Sequence, residues 1–204
     1  MTQIVCDEIV VQRGFPDEFR PLAADLYDAA FGAKLALAVP DPVARVAILR
    51  DGFDPEFSFV AGSRGKLMGI AGFKTEAGSL TGGILFSLLK QKVGYWGAIR
   101  AVPVLALLQR KQTPSQLLMD GISVAPDMRG KGIGTRLLRS LIAWAKSEGY
   151  RSVRLDVIDT NPAARRLYDR VGFVPVKTER FAYLEWLLGF DAATQMVYNL
   201  SDEA

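Results

Sequence analysis

The run Arg129-Gly130-Lys131-Gly132-Ile133-Gly134 joins a segment with the apolar pattern of a strand, Leu117–Val124, to one with helical periodicity. Glycines let a backbone approach an anion closely, and the free N–H groups of a helix's first turn point towards it. The order of residues differs from the dinucleotide-binding G-x-G-x-x-G and from the P-loop G-x-x-x-x-G-K-[ST]. The run therefore predicts a phosphate-binding turn between a strand and a helix, and so an α/β arrangement.

Further motifs follow this run. They are Leu137-Leu138, Asn161-Pro162-Ala163-Ala164, Leu167-Tyr168 and Val171-Gly172-Phe173. In their order and spacing, the run and these motifs together resemble the GNAT superfamily of N-acetyltransferases. The resemblance covers Leu117 to Val176 closely, whereas the first 110 residues share only the order of elements. It implies that acetyl-coenzyme A is the co-substrate and that no metal is needed. A glycine turn between a buried strand and helix would explain the glycines alone.

The composition excludes several kinds of catalytic site. The chain has 204 residues, half of them apolar, no histidine and one cysteine, Cys6. A His/Cys metal site and a Ser-His or Cys-His nucleophile therefore cannot be built. Proton transfer must use carboxylates, tyrosine, lysine or water. This length suits a single domain over residues 1–204.

Charge and cysteine content predict the partners and the compartment. The net charge of +3 is too small to indicate nucleic acid. A lone Cys6 suits a reducing compartment, and the start of the chain lacks the pattern of a signal peptide, so we expect a cytoplasmic protein. Lys90, Lys92 and Arg100 interrupt the most apolar region, which predicts no transmembrane segment.

Strand and helix signals alternate along the chain. We expect a helix over Phe19–Phe31 with Asp17 as its cap and Gly32 as its end, and another from Asp41-Pro42 to about Arg50. A helix from Ile133 should end at Gly149. A helix capped by Asn161 should end at Gly172. The strands are expected at Ile4–Arg13, Phe57–Ala61, Leu67–Lys74, Leu117–Val124, Ser152–Ile158, Phe173–Lys177 and Gln195–Asn199.

These elements predict a layered α/β domain around a mixed, largely antiparallel sheet. The resemblance implies that two neighbouring strands, Leu117–Val124 and Ser152–Ile158, splay apart and receive the acyl thioester between them. A helical insertion follows the third strand.

The resemblance also assigns the coenzyme-binding residues. Backbone amides from Arg129 to Thr135 would bind the pyrophosphate, and Arg136 would add positive charge. Free edge groups of Ile122 and Val124 would pair with the pantetheine arm, although both residues are equally compatible with a buried strand. The expected cofactor contacts are Ile122, Val124, Arg129, Gly130, Lys131, Gly132, Ile133, Gly134, Thr135, Asn161 and Tyr168.

Tyr168 is the candidate acid for the departing thiolate. In the family the matching tyrosine donates to the coenzyme sulfur, and the residue matching Asn161 contacts the cofactor. A phenol with a pKa of about 10 is protonated at neutral pH, which suits an acid. Seven residues separate Asn161 from Tyr168, about two helical turns, so both can face one cleft. Alternatively, Tyr168 is a half-buried helix aromatic and Asn161 simply a helix cap.

The candidate base remains open between three carboxylates. Asp156 precedes Asn161 by five residues, where some family members carry a glutamate. Glu185 belongs to a late region that shapes the acceptor site in the family. A solvated carboxylate, or one paired with Arg154, is the alternative reading of either aspartate.

Asp120 is the third carboxylate. Residues 120, 122 and 124 share strand parity, so Asp120 is expected on the same side as Ile122 and Val124.

Two classes of function fit these residues. One is an enzyme that transfers an acetyl group from acetyl-coenzyme A to an amine of a small molecule, peptide or protein by direct attack. The other is a non-catalytic coenzyme A binding module that uses its basic apolar insertion to contact a membrane surface or a partner. Turnover with a panel of amines distinguishes them.

Residues 78–113 form an apolar, basic insertion with two helical patterns and Pro103 near or within the second. No Asp or Glu occurs from Ala77 to Met119. It could be a lid over the acceptor cleft, a homodimer surface, or a helix pair on a membrane surface. We favour the lid, which requires Trp96, Ile99 and Leu105 to pack against the body. Its cations are Lys90, Lys92, Arg100, Arg110 and Lys111.

Overall fold

The computed structural model describes residues 9–63, 65–108, 110, 113–180 and 189–200. Five helices and seven strands lie within these residues. The helices are α1 (Arg20–Leu35), α2 (Pro42–Gly52), α3 (Phe86–Leu108), α4 (Ile133–Ser147) and α5 (Pro162–Val171). The strands are β1 (Val10–Arg13), β2 (Ser58–Ser63), β3 (Lys66–Lys74), β4 (Gln116–Val124), β5 (Ser152–Ile158), β6 (Val174–Arg180) and β7 (Ala192–Asn199).

The strands form one sheet in the order β1-β2-β3-β4-β5-β7-β6. Every neighbouring pair is antiparallel except β4 and β5, which run parallel. The predicted mixed, largely antiparallel sheet is therefore confirmed, as is the helical segment after the third strand.

Alternate side chains of the strands pack into two separate cores, one on each face of the sheet. Phe59 and Ala61 of β2 point into the core under α4 and α5, whereas Val60 between them points into the core under α1. This alternation follows from the period of two along a strand. The sheet therefore has an α4–α5 face and an α1 face.

Two expected boundaries of the first helix are wrong. Asp17 begins a short 3-10 turn instead of capping α1, and the helix continues through Gly32 to Leu35. A Cβ at Gly32 would lie 2.8 Å from an oxygen of Asp28, the carboxylate that binds Arg45 of α2 at 2.5 Å. Gly32 thus makes room for an ion pair between two helices instead of ending one.

Helix α2 begins where the sequence predicts. The carboxylate of Asp41 accepts hydrogen bonds from the N–H groups of Val43 and Ala44, and Pro42 occupies the first turn. Helix α5 begins in the same manner at Asn161 and ends at Gly172, whose φ is 109°.

The segment after β3 contains two helical pieces, as predicted. Gly94 interrupts α3 with a φ of 73° and a ψ of 174°, and Pro103 lies in the second piece. The inward side of α3 presents Leu89, Ala98 and Ala101, which pack with Ile48 of α2 and with Ala38 and Val39 in the connection between α1 and α2. Helix α3 itself therefore packs against α2 and this connection.

The expectation that the segment buries its largest side chains is wrong. Trp96 is 80% exposed and Ile99 42% exposed, whereas Leu105 is half-buried against the small core at Ala38 and Val39. The small alanines of α3 face inwards, so the bulky residues on its other sides remain outside.

Some expectations fall on residues outside the described ranges. These are the first part of the Ile4–Arg13 strand, Cys6, Lys111 and Glu185. Within the described residues, no helix is long and apolar enough to cross a membrane.

Candidate active site

A gap opens between β4 and β5. The two strands pair only over Gln116–Leu118 and Ser152–Arg154, although β4 continues to Val124 and β5 to Ile158. Beyond Leu118, β4 remains paired to β3 on its other side as far as Val124, with one irregularity between Met119 and Gly121. The splayed pair that the resemblance implied is therefore present between the expected strands.

The edge of β4 that faces the gap carries free backbone groups. The N–H of Ala125 donates to the carbonyl of Met68 on β3 at 2.9 Å. Successive residues of a strand point their N–H and C=O groups to opposite sides. The groups of Ser123 therefore point to β3, and those of Val124 and Ile122 point into the gap, where an extended amide chain could pair with them.

The glycine run forms a concave turn at the start of α4. Gly130 and Gly132 have φ values of 77° and 79°, in the left-handed region, and a Cβ at either would meet no described atom within 4 Å. The first intrahelical bond of α4 runs from the N–H of Arg136 to the carbonyl of Gly132. The preceding N–H groups, from Ile133 to Thr135, have no partner within the helix and face an open space.

Gly134 has a different role from the other two glycines. It is buried, and a Cβ there would lie 2.9 Å from a methyl group of Leu167 on α5. Ile133 beside it is also buried in the core. Gly134 therefore allows α4 and α5 to approach each other, so only its backbone N–H is available to a ligand.

Three cations surround the turn. Arg129, Lys131 and Arg136 are exposed, and the Arg129 guanidinium donates to the carbonyl of Val124 at 3.2 Å. Arg136 donates to the carbonyl of Ile9 at 3.3 Å. Positive charge and the N-terminal end of a helix dipole thus coincide, which is the arrangement that holds a phosphate or diphosphate.

Tyr168 lies on the α4–α5 face, in the same core as Ile122. It is 5% exposed, and its ring lies 6.0 Å from that of Phe173. Burial raises the pKa of the Tyr168 hydroxyl above its ordinary value. The hydroxyl therefore stays protonated at neutral pH and can donate.

Asn161 acts as a helix cap. Its side-chain oxygen accepts a hydrogen bond from the N–H of Ala164 at 3.1 Å at the start of α5. The residue is exposed, and its remaining amide NH₂ group is turned away from this bond. The structure therefore gives Asn161 the capping role, which leaves its contact with the cofactor a prediction.

Asp120 occupies a bulge in β4, and this overturns the parity argument. Gly72 pairs with Gly121 and Phe73 pairs with Met119, so Asp120 is the extra residue between them. A bulge shifts the alternation of side chains by one residue. Ile122 consequently packs on the α4–α5 face, as Met119 does, while Asp120 does not share that face.

The surroundings of Asp120 place it on the α1 face. Its charge acts on the hydroxyl of Tyr27 on α1, and Lys74 and Arg110 act on its carboxyl group. The residue is exposed, but protein surrounds its carboxyl group closely enough that desolvation raises the pKa of this group to about 6. A carboxylate with this pKa is charged at neutral pH and more basic than an ordinary aspartate.

Asp156 is held in an ion-pair cluster. Arg110 binds its Oδ2 closely, and Arg154 approaches the same oxygen at 3.4 Å. Its other oxygen, Oδ1, is buried and has no hydrogen-bond partner among the described residues. Two guanidinium groups already occupy this carboxylate, so the geometry favours the alternative in which Asp156 pairs with Arg154.

Helix α1 also contributes to the surroundings of the gap, which the sequence patterns did not predict. Tyr27 and Lys34 come from α1, more than 80 residues before β4, and Arg110 counted only towards the charge of the insertion. Burial and the neighbouring Arg110 lower the pKa of Lys34, and its ammonium lies 5.0 Å above the Phe190 ring. No signal in the sequence links these residues to Asp120.

The described residues contain no cluster of three or more His, Cys, Asp or Glu that could hold a metal ion. The site instead combines an open strand edge, a glycine turn flanked by exposed cations, a buried phenol and a carboxylate of raised pKa. It is the arrangement of an acyl-coenzyme A transferase with a splayed sheet.

Comparison with known families agrees with this class. The family model described as "Acetyltransferase (GNAT) family" matches residues 23–173, about three quarters of the chain. The chain therefore belongs to the GNAT acetyltransferase family, whose members use acetyl-coenzyme A.

Its relatives match over shorter stretches. An uncharacterized N-acetyltransferase, YobR, of Bacillus subtilis is 40% identical over 63 residues, 31% of this chain and 26% of the relative. N-acetyltransferase 8F1 of Rattus norvegicus is 31% identical over 102 residues, 48% of this chain and 46% of that protein. The chain thus spans about a quarter to a half of the length of these relatives.

Solved structures share the fold over nearly the whole chain. The ribosomal-protein-S18-alanine N-acetyltransferase of Escherichia coli has a TM-score of 0.59 at 17% identity and covers 97% of each chain. The yncA protein of Salmonella typhimurium, determined with its cofactor acetyl-CoA, has a TM-score of 0.58 at 17% identity and covers 96% of each. At these identities the likeness shows the fold alone.

Proposed function

We propose that this protein transfers an acetyl group from acetyl-coenzyme A to an amine of a small molecule, peptide or protein by direct attack. The observation that supports it most is the gap between β4 and β5, because the free edge of β4 lines it and the glycine turn follows directly after that strand.

The residues around the turn fit the coenzyme. The backbone N–H groups from Gly130 to Thr135, with Arg129, Lys131 and Arg136, would hold its diphosphate. The free groups of Ile122 and Val124 would pair with the amides of its pantetheine arm. When bound, acetyl-coenzyme A supplies an activated acetyl group as a thioester. A side chain larger than hydrogen at Gly132 would project into the space that the diphosphate requires.

We assign the base to Asp120 in preference to Asp156. A lysine-type ammonium has a pKa of about 10.4 and an α-ammonium about 8, so the acceptor must lose a proton before it attacks. Asp120 is charged at neutral pH and more basic than an ordinary aspartate, while Asp156 is engaged by two arginines. Asp120 would take this proton directly or through a water molecule.

Tyr168 would give its proton to the departing sulfur. Its buried hydroxyl is protonated over the whole neutral range, so it is always ready to donate. The proton that Tyr168 loses is recovered from solvent through the gap. Asp120 on one face and Tyr168 on the other thereby separate the base from the acid.

The alternative, a coenzyme A binding module without catalysis, is not favoured. A module of this kind requires the turn and the strand edge but neither a carboxylate of raised pKa nor a buried phenol at the gap. We further propose that the protein acts in a reducing compartment such as the cytoplasm, which its single cysteine supports.

The test measures release of free thiol from acetyl-coenzyme A with a panel of amines, corrected for hydrolysis. Once an acceptor is found, Tyr168→Phe should lower kcat by about tenfold to a thousandfold with little change in coenzyme affinity. Tyr198→Phe is the matched control, because Tyr198 also packs against Phe173, at 5.6 Å, from β7. Wild-type kcat in Tyr168→Phe would refute the acid role.

The same assay tests the base. Asp120→Asn should remove the acidic limb of the kcat/KM profile near pH 6 and lower activity at neutral pH. Asp156→Asn should instead lower the melting temperature, because it weakens the pairs with Arg110 and Arg154. If Asp156→Asn removes the limb and Asp120→Asn leaves it, the assignment of the base is wrong.

A further inference from the structure

The outer side of α3 carries large apolar side chains that no described residue covers. Trp96 is 80% exposed, and Leu107 and Leu85 are each about 60% exposed. Monomeric proteins seldom leave so many bulky apolar groups together in water without using them. We call this surface the outer face of α3; it comprises Leu85, Phe86, Tyr95, Trp96, Ile99, Val102 and Leu107.

This exposure does not come from a poorly packed helix. The inward side of α3 is closely seated, since Ala98 and Ala101 are fully buried and Leu89 is almost so. Arg100 adds a hydrogen bond to the carbonyl of Ala38 at 3.3 Å. The helix is therefore fixed in orientation, and its outer face is held towards solvent.

The break at Gly94 gathers aromatic rings on this face. Phe86 comes from the first helical piece, and its ring lies 6.2 Å from that of Tyr95, which follows the break. The Tyr95 ring lies 5.6 Å from that of Trp96. Tyrosine and tryptophan have an apolar body and a polar tip, the combination favoured at a membrane–water interface.

The positive charges of the segment favour binding to a negatively charged surface. No Asp or Glu occurs between Ala77 and Met119. Lys90 is exposed and follows Phe86 by one helical turn, so it lies beside the aromatic rings. Lys92 is instead paired with Asp51 of α2 at 2.7 Å. The outer face therefore combines apolar groups with the positive charge of Lys90, and the segment itself contributes no negative charge.

We propose that the outer face of α3 binds an anionic lipid bilayer, with the helix lying in the plane of the interface. A second copy of the chain is a poorer occupant. A twofold dimer would place this face against itself, so Lys90 would meet cations only. A bilayer containing anionic lipid offers an apolar layer for the rings and negative headgroups for Lys90.

Co-sedimentation with vesicles tests the proposal. The probe is phosphatidylcholine vesicles with 30% phosphatidylserine, compared with pure phosphatidylcholine vesicles, at low and high salt. We expect the wild-type protein to sediment with the anionic vesicles and to be released by high salt, which screens the charge attraction. Trp96→Ser should weaken this partition by about tenfold, the effect of removing one large apolar side chain, and Lys90→Glu should weaken it for anionic vesicles only.

The control variants distinguish binding through the outer face of α3 from nonspecific adsorption to vesicles. Val174→Ser removes an exposed apolar side chain from β6, at the edge of the sheet, and should leave the partition unchanged. Arg139→Glu reverses an exposed charge on α4 and should have a smaller effect than Lys90→Glu. Trp96→Phe should retain most of the binding. Melting curves of each variant confirm that it is folded.

Two outcomes would overturn the proposal. One is the absence of sedimentation with anionic vesicles at low salt, or sedimentation that Trp96→Ser does not reduce. The other is a dimer in sedimentation equilibrium that Trp96→Ser dissociates and that anionic vesicles do not dissociate. This result would assign the outer face of α3 to a second copy of the chain. Neither result would affect the proposed acetyl transfer, because the outer face contains no residue of the gap.

Discussion

Two helices on opposite sides of the sheet, α4 and α3, differ in how they use their apolar residues. On the α4–α5 face, Leu137, Leu138 and Leu141 of α4 are completely buried under one helix. On the α1 side, α3 buries alanines and leaves Trp96 and Leu107 in water. Apolar content alone therefore does not place a helix in a core. The spacing of its large residues does so, because only one side of a helix can meet a neighbour.

Leu141→Ala should destabilise the protein strongly, because it truncates a side chain in the core of the α4–α5 face. Leu141 is 0% exposed at the centre of the α4–α5 core, so the truncation leaves a cavity. The free energy of unfolding should fall by about 2–5 kcal/mol. Urea denaturation measures it, and an unchanged slope with a lower midpoint is the expected form. A loss below about 1 kcal/mol would show that this core is loosely packed.

Gly132→Val should abolish stabilisation by acetyl-coenzyme A at the start of the same helix. A ligand at a hundred times its Kd contributes about 2.7 kcal/mol, and the rise in melting temperature reports it. Gly149→Val is the matched control at the other end of α4. Gly149 has a φ of 78° and equally open surroundings, so it shares the backbone strain but not the ligand. If acetyl-coenzyme A still raises the melting temperature of Gly132→Val, the turn is not part of the coenzyme site.

On the α1 face, replacing Asp120 by Asn (Asp120→Asn) should change how the stability of the folded protein depends on pH. The pKa of Asp120 is about 6 in the folded protein, against an ordinary value of 3.8 for an unburied aspartate, so folding favours the protonated form. The stabilisation of the folded state that Asp120 contributes is fully present below pH 3.8 and is lost as the pH rises through about 6. The wild-type protein should therefore lose stability relative to Asp120→Asn across this window.

The size of this effect is reduced by solvent. One pKa unit corresponds to about 1.4 kcal/mol, and since the carboxyl group touches water we expect about 1 kcal/mol in total. Melting temperatures at pH 4 and pH 7.5 for both proteins measure the difference. If the two proteins lose stability in parallel between these values, the carboxyl group is not desolvated.

Leu107→Ala should have the smallest effect, and it is the direct counterpart of Leu141→Ala. Leu107 is 60% exposed on α3, so the same truncation should change the free energy of unfolding by less than about 0.5 kcal/mol. The same urea titration compares the two variants. A cost close to that of Leu141→Ala would mean that the outer face of α3 is covered in the folded protein.

The α4–α5 face was largely predictable from the sequence. The turn at Gly130 and Gly132, the burial of Leu137 and Leu138 and the strands that form the gap depend on local patterns that a sequence shows directly. The cap at Asn161 has the same local origin. Each of these features is determined within a single strand, turn or helix.

The α1 face was not predictable, because its features arise between distant segments. The bulge at Asp120 changes the side of one residue and has no signature in the alternation of the strand. The pairing of Arg110 with Asp156 joins residues 46 positions apart. The outward orientation of Trp96 depends on which side of α3 meets α2, and apolar content does not specify this.

The free edge of β4 also has a consequence for the solubility of the protein. An unpaired strand edge is a template on which another chain can add a strand, and proteins normally cover or charge such edges. At Ile122 and Val124 the cover would be the coenzyme, which extends through the gap as an additional strand would. Preparations depleted of acetyl-coenzyme A should therefore aggregate faster than saturated ones, and the coenzyme would then protect the fold as well as supply the acetyl group.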